Sequence, residues 1–305
     1  MTPLRTLLAA VLVVVPPVTA ADLAVEDLPS GTVWYMHADL EQMRTTASGR
    51  ELYGWFQDEV VVEINDEVGF NLDDEVDRVT AFSDDGENAV VIVDGTISTD
   101  LQEALLRIAR DEAEVDERSY RGMTYYEVRD DDREHRGGHR EPFDDSGYFT
   151  YGIRGKLIAA SSEERLKALI DDGGRVAGAE AHRDALFVLS ADKDFVQAGM
   201  RTGEFADDDD DWDSNILRNT EQAALLISDV GGRIAVDAKL KSTTPQMAAA
   251  IGNIVNGLIS LQALDDDMDP NVADVLRNTK VEYDDTVLSI STVLDAAVVL
   301  AILED

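Results

Sequence analysis

One pattern that occurs twice along the chain restricts the fold more than any single motif. Gly31-Thr32-Val33-Trp34-Tyr35-Met36-His37-Ala38-Asp39 is an apolar β run that stops at an aspartate. Ala185-Leu186-Phe187-Val188-Leu189-Ser190-Ala191-Asp192 has the same form. In both, the aspartate is placed to cap a following helix, and Gln42 completes a capping box in the first copy whereas Phe195 does not in the second. Repetition of this kind signals a structural unit used more than once.

Two further segment pairs follow in the same order. Ser83-Asp84-Asp85-Gly86 reads as a turn between the β runs 78–82 and 89–97, and Ser228-Asp229-Val230-Gly231-Gly232 as a turn between 223–227 and 233–240. Each hairpin runs into a Thr-x-x-Gln helix start, at Thr99 to Gln102 and at Thr243 to Gln246, the latter with Pro245 in its first turn. Finally, 156–160 followed by Ser161 and a helix is matched by 286–290 followed by Ser291 and a helix. An amphipathic stretch over 51–67 places Leu52, Trp55, Phe56, Val60 and Ile64 on one helix face. Tight turns between neighbouring strands favour antiparallel pairing.

The expected fold is therefore α+β: tandem duplicated two-layer modules, with a largely antiparallel sheet and helices on one face. The first module spans 21–175 and the second 176–305. Residues 1–20 read as an export signal, with Arg5 before the apolar run Leu7 to Val15 and Val18-Thr19-Ala20 at a cleavage site. That run is too short to cross a bilayer, and no later stretch is long and apolar enough. The expected location is periplasmic or secreted, with no membrane span after cleavage.

Composition excludes several chemistries. The chain has 305 residues and no cysteine, so disulfides, thiolate metal sites and cysteine nucleophiles are impossible. Its 63 acidic and 26 basic residues leave a net charge of −37, which repels phosphate and argues against nucleic acid as a partner. A basic protein or peptide is the electrostatically favoured partner.

Candidate sites are few. His135 and His139, with Asp132 and Glu134, offer imidazole and carboxylate ligands suited to zinc or another divalent ion. Gly137-Gly138 between them argues against a helix and for a flexible loop. The acidic runs Asp207 to Asp211 and Asp265 to Asp269 lack EF-hand spacing, so solvated acidic loops and no cofactor are the expectation, with weak, non-specific divalent cation binding as the alternative. His37 reads as a polar strand end beside Asp39, and His182 has no visible partner. Trp34, Tyr35, Trp55, Tyr125 and Tyr126 fall in strand or helix patterns and are expected in the core. No nucleophile elbow, phosphate-binding loop or dinucleotide fingerprint is present.

The opening Leu28-Pro29-Ser30-Gly31-Thr32-Val33-Trp34-Tyr35, the later Asp39 and the turn Gly69-Phe70-Asn71-Leu72 resemble uncharacterised secreted bacterial proteins that open on a Leu-Pro and a Thr-containing strand. That resemblance implies an exported chain of repeated α+β modules and supplies no reaction. The functional expectation is a non-catalytic binding or scaffolding protein of the cell envelope. The alternative is a hydrolase, metal-assisted through the His135–His139 loop or carboxylate-based.

Overall fold

The computed structural model describes residues 29, 31–61, 73, 75–129, 146–176, 182, 185–195, 218–262 and 270–304. Twelve strands form one sheet, and every pair in it is antiparallel. In chain order they are β1 (Trp34–Asp39), β2 (Val76–Ser83), β3 (Ala89–Gly95), β4 (Glu114–Tyr120), β5 (Met123–Arg129), β6 (Gly147–Thr150) and β7 (Lys156–Ala160). They continue as β8 (Ala185–Asp192), β9 (Thr220–Val230), β10 (Arg233–Ser242), β11 (Lys280–Asp284) and β12 (Val287–Leu294). The spatial order is β11-β12-β10-β9-β8-β1-β2-β3-β7-β6-β5-β4. The β1–β8 pair thus joins strands from either side of residue 175, and the sheet continues through the join.

Among the described residues, seven α-helices pack on this sheet: α1 (Leu40–Thr45), α2 (Ala47–Phe56), α3 (Thr99–Glu112), α4 (Glu163–Asp171), α5 (Pro245–Gln262), α6 (Pro270–Arg277) and α7 (Ala296–Glu304). Alternation along each strand sends successive side chains to opposite faces. One face carries Tyr35, Phe82, Val90, Ile92 and Ile158, and against it lie Leu166, Leu169 and Ile170 of α4. The opposite face carries Val79, Val93, Val236 and Ile227, and against it lie α1, α2 and α7. Helices α3, α5 and α6 pack on that second face too, through Val93 and Leu157, through Leu225 and Ile290, and through Leu294 respectively. The helices therefore keep to one face with the exception of α4, whose apolar residues 166, 169 and 170 leave it only the Tyr35 side to cover.

Both main core clusters draw residues from both ends of the chain. Leu40, Met43 and Leu52 pack with Leu186, Ile234 and Ala296. A register shift between Ala185 and Phe187 in β8 turns Ala185 and Val188 to the Tyr35 face while Leu186 and Phe187 meet the helices behind. Ser48, at the start of α2, donates from its backbone N–H and hydroxyl to Asp229 in the β9–β10 hairpin, which ties the two ends further.

The local signals resolve at the level of single residues. Asp39 accepts from the Gln42 N–H at 2.8 Å, as its cap position requires, and Asp192 accepts from the N–H groups of Asp194 and Phe195. Elsewhere the cap lies one residue from its expected place. Ser98, not Thr99, caps α3; Thr244 accepts from Met247 ahead of α5; and Ser162 caps α4 while Ser161 accepts from the Ala89 N–H. Ser291 starts no helix: it lies mid-strand in β12, and α7 begins at Ala296. The expected helix over 51–67 begins earlier, as α2, and passes into a π-helical turn at Gln57–Val61. In the β2–β3 hairpin, Gly86 takes a positive φ of 79°, and Asp85 accepts from the N–H groups of Glu87 and Asn88.

Candidate functional site

A group of buried polar side chains lies on the Tyr35 face, where β1 crosses the middle of the sheet. Register places three rows side by side. The first row holds Asp39, Arg78, Asp94 and Lys156, one from each of β1, β2, β3 and β7. Their signs alternate. Arg78 reaches Asp39 at 2.8 Å and Glu41 at 2.7 Å, and Lys156 pairs with Asp94. Asp39 is 1% exposed, and its buried carboxylate is engaged by Arg78 and by the Gln42 N–H of α1.

The second row holds Val188, His37, Thr80, Ile92 and Ile158. His37 Nδ1 lies 2.9 Å from the Thr80 hydroxyl. The third row brings Ser190, Tyr35, Phe82, Val90 and Ala160 into line. Across these rows lies His182, from the segment that connects β7 and α4 to β8. Its Nε2 is 2.8 Å from the Tyr35 hydroxyl, and its ring stands edge-on to both Tyr35 and His37 at centroid distances of 5.3 and 5.6 Å. Sequence reasoning found no partner for His182, because its partners come from β1 and lie far away along the chain.

Burial sets the protonation of this group. It pushes the Tyr35 phenol well above its ordinary value, so the hydroxyl keeps its proton. Burial also lowers His182 to about 4, and the neighbouring His37 adds to the fall. His37 is lowered as well, first by desolvation and then by Arg78, with Asp39 pulling the other way. Both imidazoles are therefore neutral at pH 7. The buried Nδ1 of His182 has no hydrogen-bond partner among the described residues. His37 and His182 are buried, at 8% and 4% exposure. Their geometry holds His182 against the sheet.

The same row leads outward to a different surface. From Tyr35 it continues through Ser190 and Ala224 to Lys239, Ser289 and Glu282, on β10, β12 and β11. Beside it run Asp237, Ser291 and Lys280 on one side and Lys241, Val287 and Asp284 on the other. These side chains are half-buried or exposed, and no described helix covers them.

The sequence-derived metal candidates His135, His139, Asp132 and Glu134 lie outside the described residues, as do the two acidic runs and residues 1–20. Among the described residues, no group of three or more His, Asp or Glu is arranged to hold a metal ion. No helix among them is long and apolar enough to cross a membrane. Tyr35 and Tyr125 are core residues as their patterns predicted, whereas Trp34 packs half-buried on Phe195 and Tyr126 stacks on Phe149.

In overall trace the chain is similar to solved structures of TP0453. Crystal form III gives a TM-score of 0.52 at 10% sequence identity, covering 93% of this chain and 99% of that one. Crystal form IV gives 0.51 at 9% identity, covering 92% and 95%. At such identity the likeness is one of fold. No family model and no curated protein matches the sequence.

Proposed function

We propose that this is an exported, non-catalytic binding or scaffolding protein of the cell envelope, periplasmic or secreted, built from a duplicated α+β unit. The observation that carries the reading is the contrast along one face of the sheet. Around β1, β2, β3 and β7 that face is closed by α4 and by His182, and its polar groups hold one another. Around β10, β12 and β11 no described helix lies over it, and it carries Lys241, Ser289 and Ser291, half-buried, and Glu282, exposed. An open antiparallel face of mixed charge offers directional contacts to a protein or peptide, and the chain's negative field favours a basic one.

Duplication is supported by the strand order. Outward from the β1–β8 pair it reads β1-β2-β3-β7 one way and β8-β9-β10-β12 the other. When Asp39 is matched with Asp192, Met36 corresponds to Leu189, and these two residues face each other in the β1–β8 pair. Trp34 faces Ala191 and Ala38 faces Phe187, as a local two-fold relation requires. In this reading 21–175 and 176–305 are related modules that share one sheet.

The test uses the purified chain immobilised against an exported-protein fraction, in low and moderate salt. Wild type is expected to retain a partner that a Ser289→Arg, Ser291→Arg variant of unchanged circular dichroism loses. Retention of nothing above background, or equal retention by both, sinks the reading.

A further inference from the structure

The contacts that hold His182 on the Tyr35 face run through its ring. Nε2 meets the Tyr35 hydroxyl at 2.8 Å, and the ring stands edge-on to Tyr35 and His37. A neutral imidazole has one donor and one acceptor nitrogen, so Nε2 meets that hydroxyl in either tautomer. A charged imidazole has two donors, and the one at Nδ1 would lie buried with no acceptor among the described residues. The charges around the ring are already matched to others. In the row next to His37, Asp39 pairs with Arg78 and Asp94 with Lys156. Helix α4 turns Leu166, Leu169 and Ile170 to the same face. Its Glu163 pairs with Arg118 and Lys167, its Arg165 with Asp84 and its Asp171 with Arg121, while Glu164 is exposed. Strand β8 brings Val188 and Ser190 to this face. The titratable groups in contact with the ring are Tyr35, which keeps its proton, and His37, whose charge would oppose a second one.

We propose that His182 is an acid-operated latch: uptake of a proton drives its ring off the sheet and uncovers the imidazole of His37 and the hydroxyl of Tyr35. The backbone decides which partner moves. His37 and Tyr35 sit in β1, which pairs with β2 on one side and β8 on the other, so neither follows the proton outward. His182 lies ahead of β8, outside the ladder. Water supplies outside the acceptor that Nδ1 lacks inside. At neutral pH the closed arrangement prevails, because the uncharged ring keeps its hydrogen bond and both ring contacts. The event is local, since α4 rests on the sheet through Leu166, Val90 and Ile158, which carry no titratable group. With the proton entering only through opening, the fall of His182 from 6.5 to about 4 corresponds to a closed form favoured about 300-fold. Once open, the face presents an imidazole and a phenol beside the Asp39–Arg78 pair, a polar surface that the closed molecule does not offer. The latch is independent of the partner proposed above, and its test requires none.

Histidine Cε1–H signals of the isotopically labelled chain, followed by NMR from pH 7 to about pH 3.5, test this. His182→Gln assigns the His182 signal, and a neutral gadolinium chelate reports exposure by broadening. As His182 takes up its proton, broadening of the His37 signal should rise about fivefold or more along the same midpoint, while the Leu166 methyl signals stay sharp. Tyr35→Phe removes a hydrogen bond from the closed form alone and should raise the His182 midpoint by about half to one pH unit. In His182→Gln the exposure of His37 should not change with pH. A His37 signal that stays shielded while His182 titrates overturns the proposal, as does a midpoint lowered by Tyr35→Phe, because both place the charged ring inside the fold. Broadening that reaches Leu166 at the same pH overturns it as well, by making the event global unfolding. So does an acid-induced exposure of His37 that His182→Gln retains.

Discussion

A single cross-strand row shows how differently one face of a sheet can be used along its width. At one end it holds Ala160, Val90, Phe82 and Tyr35, all 3% exposed or less. At the other it holds Lys239, Ser289 and Glu282, half-buried to exposed. Both ends belong to antiparallel strands of similar length, and hydrogen bonding along the ladder is the same. What differs is the cover. Where α4 and His182 lie over the sheet, polar groups must be partnered inside, and the alternating ladder of Asp39, Arg78, Asp94 and Lys156 results. Where no described helix lies over it, the row carries polar side chains that are half-buried to exposed.

The contrast is sharpest for a substitution in the cover itself. Leu166 of α4 is fully buried, and Leu166→Ala should lower the unfolding free energy by about 3 kcal/mol, read from urea titration. Ser291→Ala on the open end should change it by less than about 0.5 kcal/mol. Equal effects would break the comparison.

Next comes the ladder. Arg78→Ala leaves the buried Asp39 carboxylate with its helix N–H groups alone, and a loss of about 2–3 kcal/mol is expected at pH 7. Lys241→Ala, on a half-buried lysine of the open face, should cost no more than about 0.5 kcal/mol. If Arg78→Ala proves as mild as Lys241→Ala, the ladder is an ordinary surface arrangement.

Protonation supplies a third comparison. The folded value of His182, about 4, lies below its ordinary 6.5, so the unfolded chain takes up its proton first as the pH falls. Stability that is complete above pH 6.5 is therefore lost progressively down to about pH 4. Wild type should exceed His182→Gln in stability at pH 7, with the gap narrowing by about 3 kcal/mol by pH 4. A gap independent of pH would show that the imidazole is not held neutral. The smallest effect concerns the cap. Ser98→Ala at α3 should cost about 1 kcal/mol, and Thr99→Ala distinctly less, by thermal unfolding.

Much of the local architecture was legible in the chain. The β runs ending at Asp39 and Asp192, the hairpins at Gly86 and Gly231-Gly232, and the helices after them all depend on residues close in sequence. Caps were misplaced by one residue because Ser98, Thr244 and Ser162 each sit next to a residue of equal capping ability, and the choice depends on the backbone path of the strand before. Ser291 was read as a helix start because a serine after an apolar run has two meanings, and β12 continues through it to pair with β10.

The candidate site was barely legible. His182 and Tyr35 are separated by 147 residues, and no local pattern marks their contact. By itself the sequence determined an α+β chain with antiparallel hairpins and a strongly acidic surface, since periodicity, turn residues and charge act over a few neighbours. Only the tertiary structure decided that the two ends of the chain merge into one sheet, that α4, alone among the described helices, crosses to the Tyr35 face, and which polar groups lose contact with water. Those outcomes depend on what lies above each strand, and that cover is assembled from segments distant in the chain.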